Sequence, residues 1–169
     1  MTTARPLTPD ETQSWRLLLR AFTKLIAQVD RELEDEAGLS LADFGVLAAL
    51  AEGPPDGVRM TQLAAMSLHS KSRLSHCVDR LSSLGLVRRE RAEEDRRGLR
   101  AVLTKEGASV LRACEPRHGA SVRTYLLEHA SDEDLAMMAA LWRKVIDVVE
   151  QAPAPGRRRV DEHLVASHA

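Results

Sequence analysis

Apolar side chains recur at three- and four-residue intervals through Trp15, Leu18, Leu19, Phe22, Leu25, Ile26, Val29 and Leu33, the spacing of one helical stripe. A long first helix is therefore predicted over residues 8–37, opened by the capping run "TPDE" and ended by Gly38. Ser40 caps a second helix, "LADFGVLAALAEG", which stops at Gly53 and the turn "GPPDG". Thr61 caps a short third helix over residues 62–66. After a turn at 67–69, Ser70 caps a fourth that runs to about Leu84 and is stopped by Gly85. The pattern then changes from cycling to alternation. It predicts a strand at 86–91, a loop at 92–98 and a return strand at 99–103, which together make a hairpin. Thr104 caps a fifth helix, in which Pro116 and Gly119 predict a kink or break. Ser131 with Asp134 caps a last helix to Glu150, carrying Leu135, Met138, Leu141, Trp142, Val145 and Val149 on one side. Residues 151–169, beginning "QAPAPGRRR", read as a loose tail.

This order gives a mainly α fold with a small β-hairpin wing. A winged helix-turn-helix lobe occupies residues 40–104 of one domain spanning 1–169, with long helices at 8–37 and 105–150 on either side. Composition agrees with a globular core: 44% of the 169 residues are hydrophobic but only 3% aromatic, so Leu, Ala and Val must fill it. Apolar runs stay short of a membrane helix, and "MTTARPLTPDE" lacks the apolar centre of a signal peptide, so a cytoplasmic protein is expected. Two cysteines, Cys77 and Cys114, are too few for a disulfide framework.

A formal net charge of -1 conceals a strong asymmetry. Residues 71–105 hold ten Lys/Arg against five acids, whereas residues 7–56 hold four against ten. Positive potential is thus concentrated on the helix-turn-helix and hairpin, which suits an anionic partner.

On the fourth helix, at 100° per residue, Leu74, Cys77, Val78 and Leu81 share the inward sector. Ser72, His76 and Asp79 fall opposite, with Ser75 and Arg80 on the flanks. Short hydroxylated side chains approach the major-groove floor closely, and His76 can donate or accept at a base edge. Ser70, Lys71 and Arg73 in the first turn suit phosphates. A solvated polar face is the competing reading. In the hairpin, Arg88, Arg89 and Arg91 line the outgoing strand and Arg96 and Arg97 lie near the tip, where guanidinium groups suit a narrow minor groove. Asp95 beside DNA needs a partner, so it is read as a brace that holds a neighbouring arginine. The competing reading is a self-compensating surface cluster of Glu93, Glu94, Asp95, Arg96 and Arg97.

The runs "LSLADFGVLAAL", "MTQLAAMSLHSKSRLSHCVDRLSSLGLVRRE" and "EEDRRGLRAVLTKEG" resemble the multiple antibiotic resistance regulator (MarR) family over roughly the middle half of the chain. The resemblance implies Arg97 in the minor groove, Asp95 as its brace and the fourth helix in the major groove of double-stranded DNA. It also implies a homodimer built from the N- and C-terminal helices, and a small-molecule pocket between them and the DNA lobe, commonly for aromatic acids or drug-like compounds. Trp15, Arg16 and His118 are candidates to line that pocket, although each is as readily structural.

Other sites are set aside. Cys114 and His118 are four apart on a helix, but Pro116 lies between them and no third ligand is near, so no metal or other cofactor is expected. Nothing around Cys77 marks a reactive thiol. Arg157, Arg158 and Arg159 are read as part of a solvated tail. The expected function is a sequence-specific transcription regulator, a ligand-responsive repressor that binds a pseudo-palindromic operator as a homodimer. The rivals are a winged-helix protein-interaction module and an accessory domain of an enzyme. No phosphate loop, nucleophile elbow or paired metal motif supports the enzyme.

Overall fold

The computed structural model describes residues 5–66, 71–92 and 95–152, with Lys71, Ala92 and residues 95–98 described by backbone alone. Two compact units are present, Met1–His129 and Ala130–Ala169.

The first unit begins with α1 (Pro9–Ala37), started by a complete capping box between Thr8 and Glu11. A second box, Ser40 with Asp43, starts α2 (Leu41–Glu52). Asp30 of α1 accepts the amide of Leu41 at 2.7 Å, fixing where α2 departs. Next come β1 (Val58–Arg59), α3 (Met60–Met66), α4 (Lys71–Ser83), β2 (Val87–Ala92), β3 (Asp95–Leu103) and α5 (Lys105–Tyr125), followed by a 3-10 turn at Leu127–His129. The strands form an antiparallel sheet in the order β1-β3-β2, with Val58 opposite Ala101 and Val87 opposite Leu103.

The core is aliphatic. Val46 and Leu47 of α2, Leu63 of α3, and Val78 and Leu81 of α4 have no exposure, and Leu33, Leu74, Val87 and Ala101 join them. Each such valine or leucine contributes about 1.5–3 kcal/mol by leaving water. α5 packs on α1 and α2, while α4 packs on α2, α3 and β2. α4 is thereby held from behind along its apolar line.

Four expectations change. β1 was not predicted, because a two-residue strand carries no periodicity. It forms because Gly57 adopts φ +93° and passes so close to β3 that a Cβ there would lie 2.6 Å from the Ala101 carbonyl oxygen. That pairing feeds straight into α3, so Thr61 lies inside the helix instead of capping it. The outgoing wing strand is shifted by one residue from the 86–91 expected and the return strand starts four residues before the 99 expected, so the loop is shorter, with Ala92 opposite Asp95 and an irregularity between Arg91 and Ala92. A backbone ladder needs no hydrophobic alternation, so a charged strand end escapes a pattern search. α5 runs through Pro116 without a break. The carbonyl deprived of a donor belongs to Arg112, and both residues are exposed to water, while Leu111, Cys114 and Ser121 stay buried on the other side.

The second unit is α6 (Asp132–Gln151), opened by a Ser131–Asp134 capping box as expected. None of its residues is buried, and Met137, Leu141, Val145, Ile146, Val148 and Val149 are exposed. No helix among the described residues is long and apolar enough to cross a membrane.

Candidate nucleic-acid interface

The two faces of α4 separate as the helical period demands. Leu74, Val78 and Leu81 are buried, Cys77 is half-buried, and Ser72, Arg73, His76 and Asp79 are exposed. Lys71 is the first residue of the helix, with its side chain outside the described part, and Ser70 lies wholly outside the described residues. Ser75 departs from the expected pattern. It is half-buried, and its carbonyl and hydroxyl oxygens lie 3.2 and 3.4 Å from a guanidinium nitrogen of Arg89.

In the wing, Asp95, Arg96 and Arg97 belong to the backbone of β3, but their side chains lie outside the described residues. Arg88 is exposed and bonds Glu90 at 2.6 Å. Arg89 turns the other way, because it shares a strand face with buried Val87. Its guanidinium reaches Asp79 of α4 at 3.0 Å. Arg100 pairs with Asp56 across the sheet edge.

A second tie reaches α4 from behind. Asp43, 1% exposed, accepts the Ser40 amide at 2.9 Å and the Ser40 hydroxyl, and it also accepts the Cys77 thiol at 3.2 Å and pairs with Arg80. The residue that caps α2 therefore also anchors α4. Burial pushes the Cys77 thiol up to about 11, far from the range of a reactive thiolate.

Of the pocket candidates, His118 on α5 stacks on Phe44 of α2 with ring centroids 4.4 Å apart, and burial lowers its pKa. Trp15 and Arg16 are exposed near the start of α1. α1 meets α5 around Glu32 and Glu36, which pair with Arg117 at 3.5 and 3.2 Å. At 1.5 Å per residue that meeting point is roughly 25 Å of helix from Trp15. A single chain does not bring Trp15 and Arg16 to His118.

Asp43, and the ties that Arg80 makes to Asp43 and Arg89 to α4, are not anticipated from the sequence. The Ser40-x-x-Asp43 spacing signals a cap but not the reach to another helix. Alternation from Val87 would have turned Arg89 inward.

Residues 37–98 match the sequence model of the MarR family. The regulator PecS of Dickeya dadantii (strain 3937) is 27% identical over 149 residues, covering 79% of this chain and 90% of PecS. The crystal structure of AbsC, a MarR family transcriptional regulator from Streptomyces coelicolor, is 37% identical and superposes with a TM-score of 0.82 over 88% of this chain and all (100%) of that one. Sco3205, a MarR family transcriptional regulator of the same organism solved in complex with DNA, is likewise 37% identical, with a TM-score of 0.86 over 90% of this chain and 95% of its own.

Proposed function

The chain belongs to the MarR family of transcriptional regulators, and on that premise we propose that it acts as a ligand-responsive repressor, binding a pseudo-palindromic operator as a homodimer. The observation that carries this reading is the division of α4. Its apolar line is sealed in the core while Ser72, Arg73 and His76 stand exposed beside an arginine-rich hairpin. In this reading residues 70–76 meet the major groove and nearby phosphates, Arg96 and Arg97 reach the minor groove, and Asp95 holds Arg97 in place.

The homodimer is supported by apolar side chains left exposed within each unit. Trp15, Leu19 and Phe22 of α1 are about half exposed, and α6 has no buried residue. Apolar surface of this kind on a helix calls for a partner surface. Two-fold pairing would set the recognition helices about 34–36 Å apart, one turn of duplex. An effector that fits only one separation shifts the population toward it and so releases or retains DNA. We place the effector between the lobe and the long helices α1 and α5, where His118 stacks on Phe44, with Trp15 and Arg16 of the second protomer as further candidate contacts.

The test is selection of duplexes from a random library, followed by titration of the preferred one from about 50 to 200 mM salt. A palindromic consensus and a steep fall of affinity with salt are expected, together with a slope reduced by about one in Arg97→Ala. Failure to enrich any duplex would reject DNA reading. An unchanged slope in Arg97→Ala would reject the wing assignment alone.

A further inference from the structure

Arg89 is basic, lies in the wing and points away from solvent. Arg88 beside it is 61% exposed, whereas the Arg89 side chain is 27% exposed and lies against α4. One terminal nitrogen is 3.0 Å from Asp79 Oδ1, and the other donates to the Ser75 carbonyl at 3.2 Å and lies 3.4 Å from its hydroxyl. Ser75 and Asp79 are four residues apart, one above the other on a single flank of α4. The guanidinium thus grips a full turn of the helix, and among the described residues its buried Nε finds no acceptor.

We propose that Arg89 is a positioning residue for DNA reading: it contacts no nucleotide, but sets the roll of α4 against the wing and neutralises the one acid on the reading face. The proposal rests on α4 being the recognition helix. Leu74, Val78 and Leu81 seat α4 along one line, and a helix held along a line is free to roll about it. With side chains reaching about 5–6 Å from the axis, a roll of about 15° displaces their tips by about 1.5 Å. That exceeds the tolerance of a base-edge hydrogen bond. A fork anchored on a main-chain carbonyl and on a carboxylate one turn away resists such a roll, and Arg supplies two rigid donors for it where Lys supplies one point charge. Asp79 is 58% exposed among Ser72, Arg73 and His76, so without Arg89 an unpaired carboxylate would face the phosphates.

The experiment uses the full chain and the duplex selected by the wild type, with a scrambled duplex of equal length as the non-specific probe. Two variants are compared, Arg89→Lys and the double variant Arg89→Gln/Asp79→Asn, which removes the ion pair with no change in net charge. The double variant is expected to keep wild-type affinity and salt slope on the scrambled duplex and to lose about ten- to a hundred-fold on the selected one. Arg89→Lys should also lose specific affinity, although its charge is retained. The proposal is overturned by selected-duplex affinity within twofold of wild type in either variant. It is equally overturned if the double variant weakens on both duplexes alike with a slope lower by about one, the signature of a lost phosphate contact. Should the double variant lack a cooperative melt, Arg89→Lys alone decides by the same criterion. A wild type that enriches no duplex defeats the DNA reading and this inference with it, and is recognised before any variant is made.

Discussion

Replacing Asp43 with Ala removes an acceptor used by two helices at once. Ser40 loses the carboxylate that receives its amide at 2.9 Å, which is half of the α2 capping box and is typically worth about 1 kcal/mol. The thiol of Cys77 and the hydroxyl of Ser40 lose a buried acceptor, at a further cost of about 1 kcal/mol. Arg80 loses its partner but is 45% exposed and can turn to water, so that pair adds about 0.5 kcal/mol. The expected loss is about 2–3 kcal/mol, or roughly 5–10 °C in Tm for a chain of this size. Thermal and urea melts at matched protein concentration measure it, with Asp134→Ala as the control. Asp134 closes the same Ser-x-x-Asp box on α6, accepting the Ser131 amide at 3.0 Å, but it is exposed and caps only its own helix. Its replacement should fray α6 and shift the melt less. Equal losses in the two variants would refute the argument that the Asp43 tie to α4 carries energy beyond a cap. Because the same tie seats α4, specific DNA binding should weaken in Asp43→Ala, and not in Asp134→Ala, when both are measured below their melting range.

Three further outcomes are expected. Glu32 accepts from Ser121, from Tyr125 at 2.6 Å and from Gln28 at 2.9 Å, and these bonds hold its pKa down to about 2. Its contribution is therefore complete above the ordinary glutamate range near 4.3 and is lost as pH falls toward 2. Glu32→Gln should flatten the acid side of a stability profile below about pH 4.5, and an unchanged profile would count against the seam between α1 and α5. Neither thiol should react readily in the native protein near pH 8, since burial raises both pKa values; both should react after denaturation, and rapid native labelling of Cys77 would contradict its bond to Asp43. Gly107→Ala should destabilise despite alanine's helical preference, because its Cβ would lie 2.1 Å from the Leu86 carbonyl oxygen, which accepts the Thr104 amide. Gly45→Ala in α2 meets nothing within 4 Å and should stabilise by up to about 1 kcal/mol; urea melts separate the two signs.

The local features of the fold were legible in the chain. Thr8, Ser40, Thr104 and Ser131 announce helix starts because a cap is chemistry within four residues, and all four are caps in the structure. The inward line of α4 was legible for a similar reason, since a period of 3.6 assigns faces without knowledge of what they face. The MarR-like order of helices and hairpin followed from such local signals. Contacts beyond their reach are not legible in the chain. The helical period puts Ser75 on the flank of the reading face but does not show that its oxygens lie against Arg89. Arg89 was grouped with Arg88 and Arg91 by charge, although strand alternation and a neighbouring helix give it a different task.

By itself, then, the sequence determined where the capped helices α1, α2, α5 and α6 start, which faces are apolar, and that positive charge gathers on the helix-turn-helix and wing. Each of these depends on interactions within about one turn or one strand pair. Tertiary structure alone decided that β1 exists, that α5 runs through Pro116, that Asp43 serves two helices, and that Arg89 grips α4. The reason is common to all four. Each depends on a group from a distant part of the chain arriving at hydrogen-bonding or van der Waals distance, or on which side of an element water is left to satisfy a backbone group, and neither is encoded in the spacing of neighbouring residues.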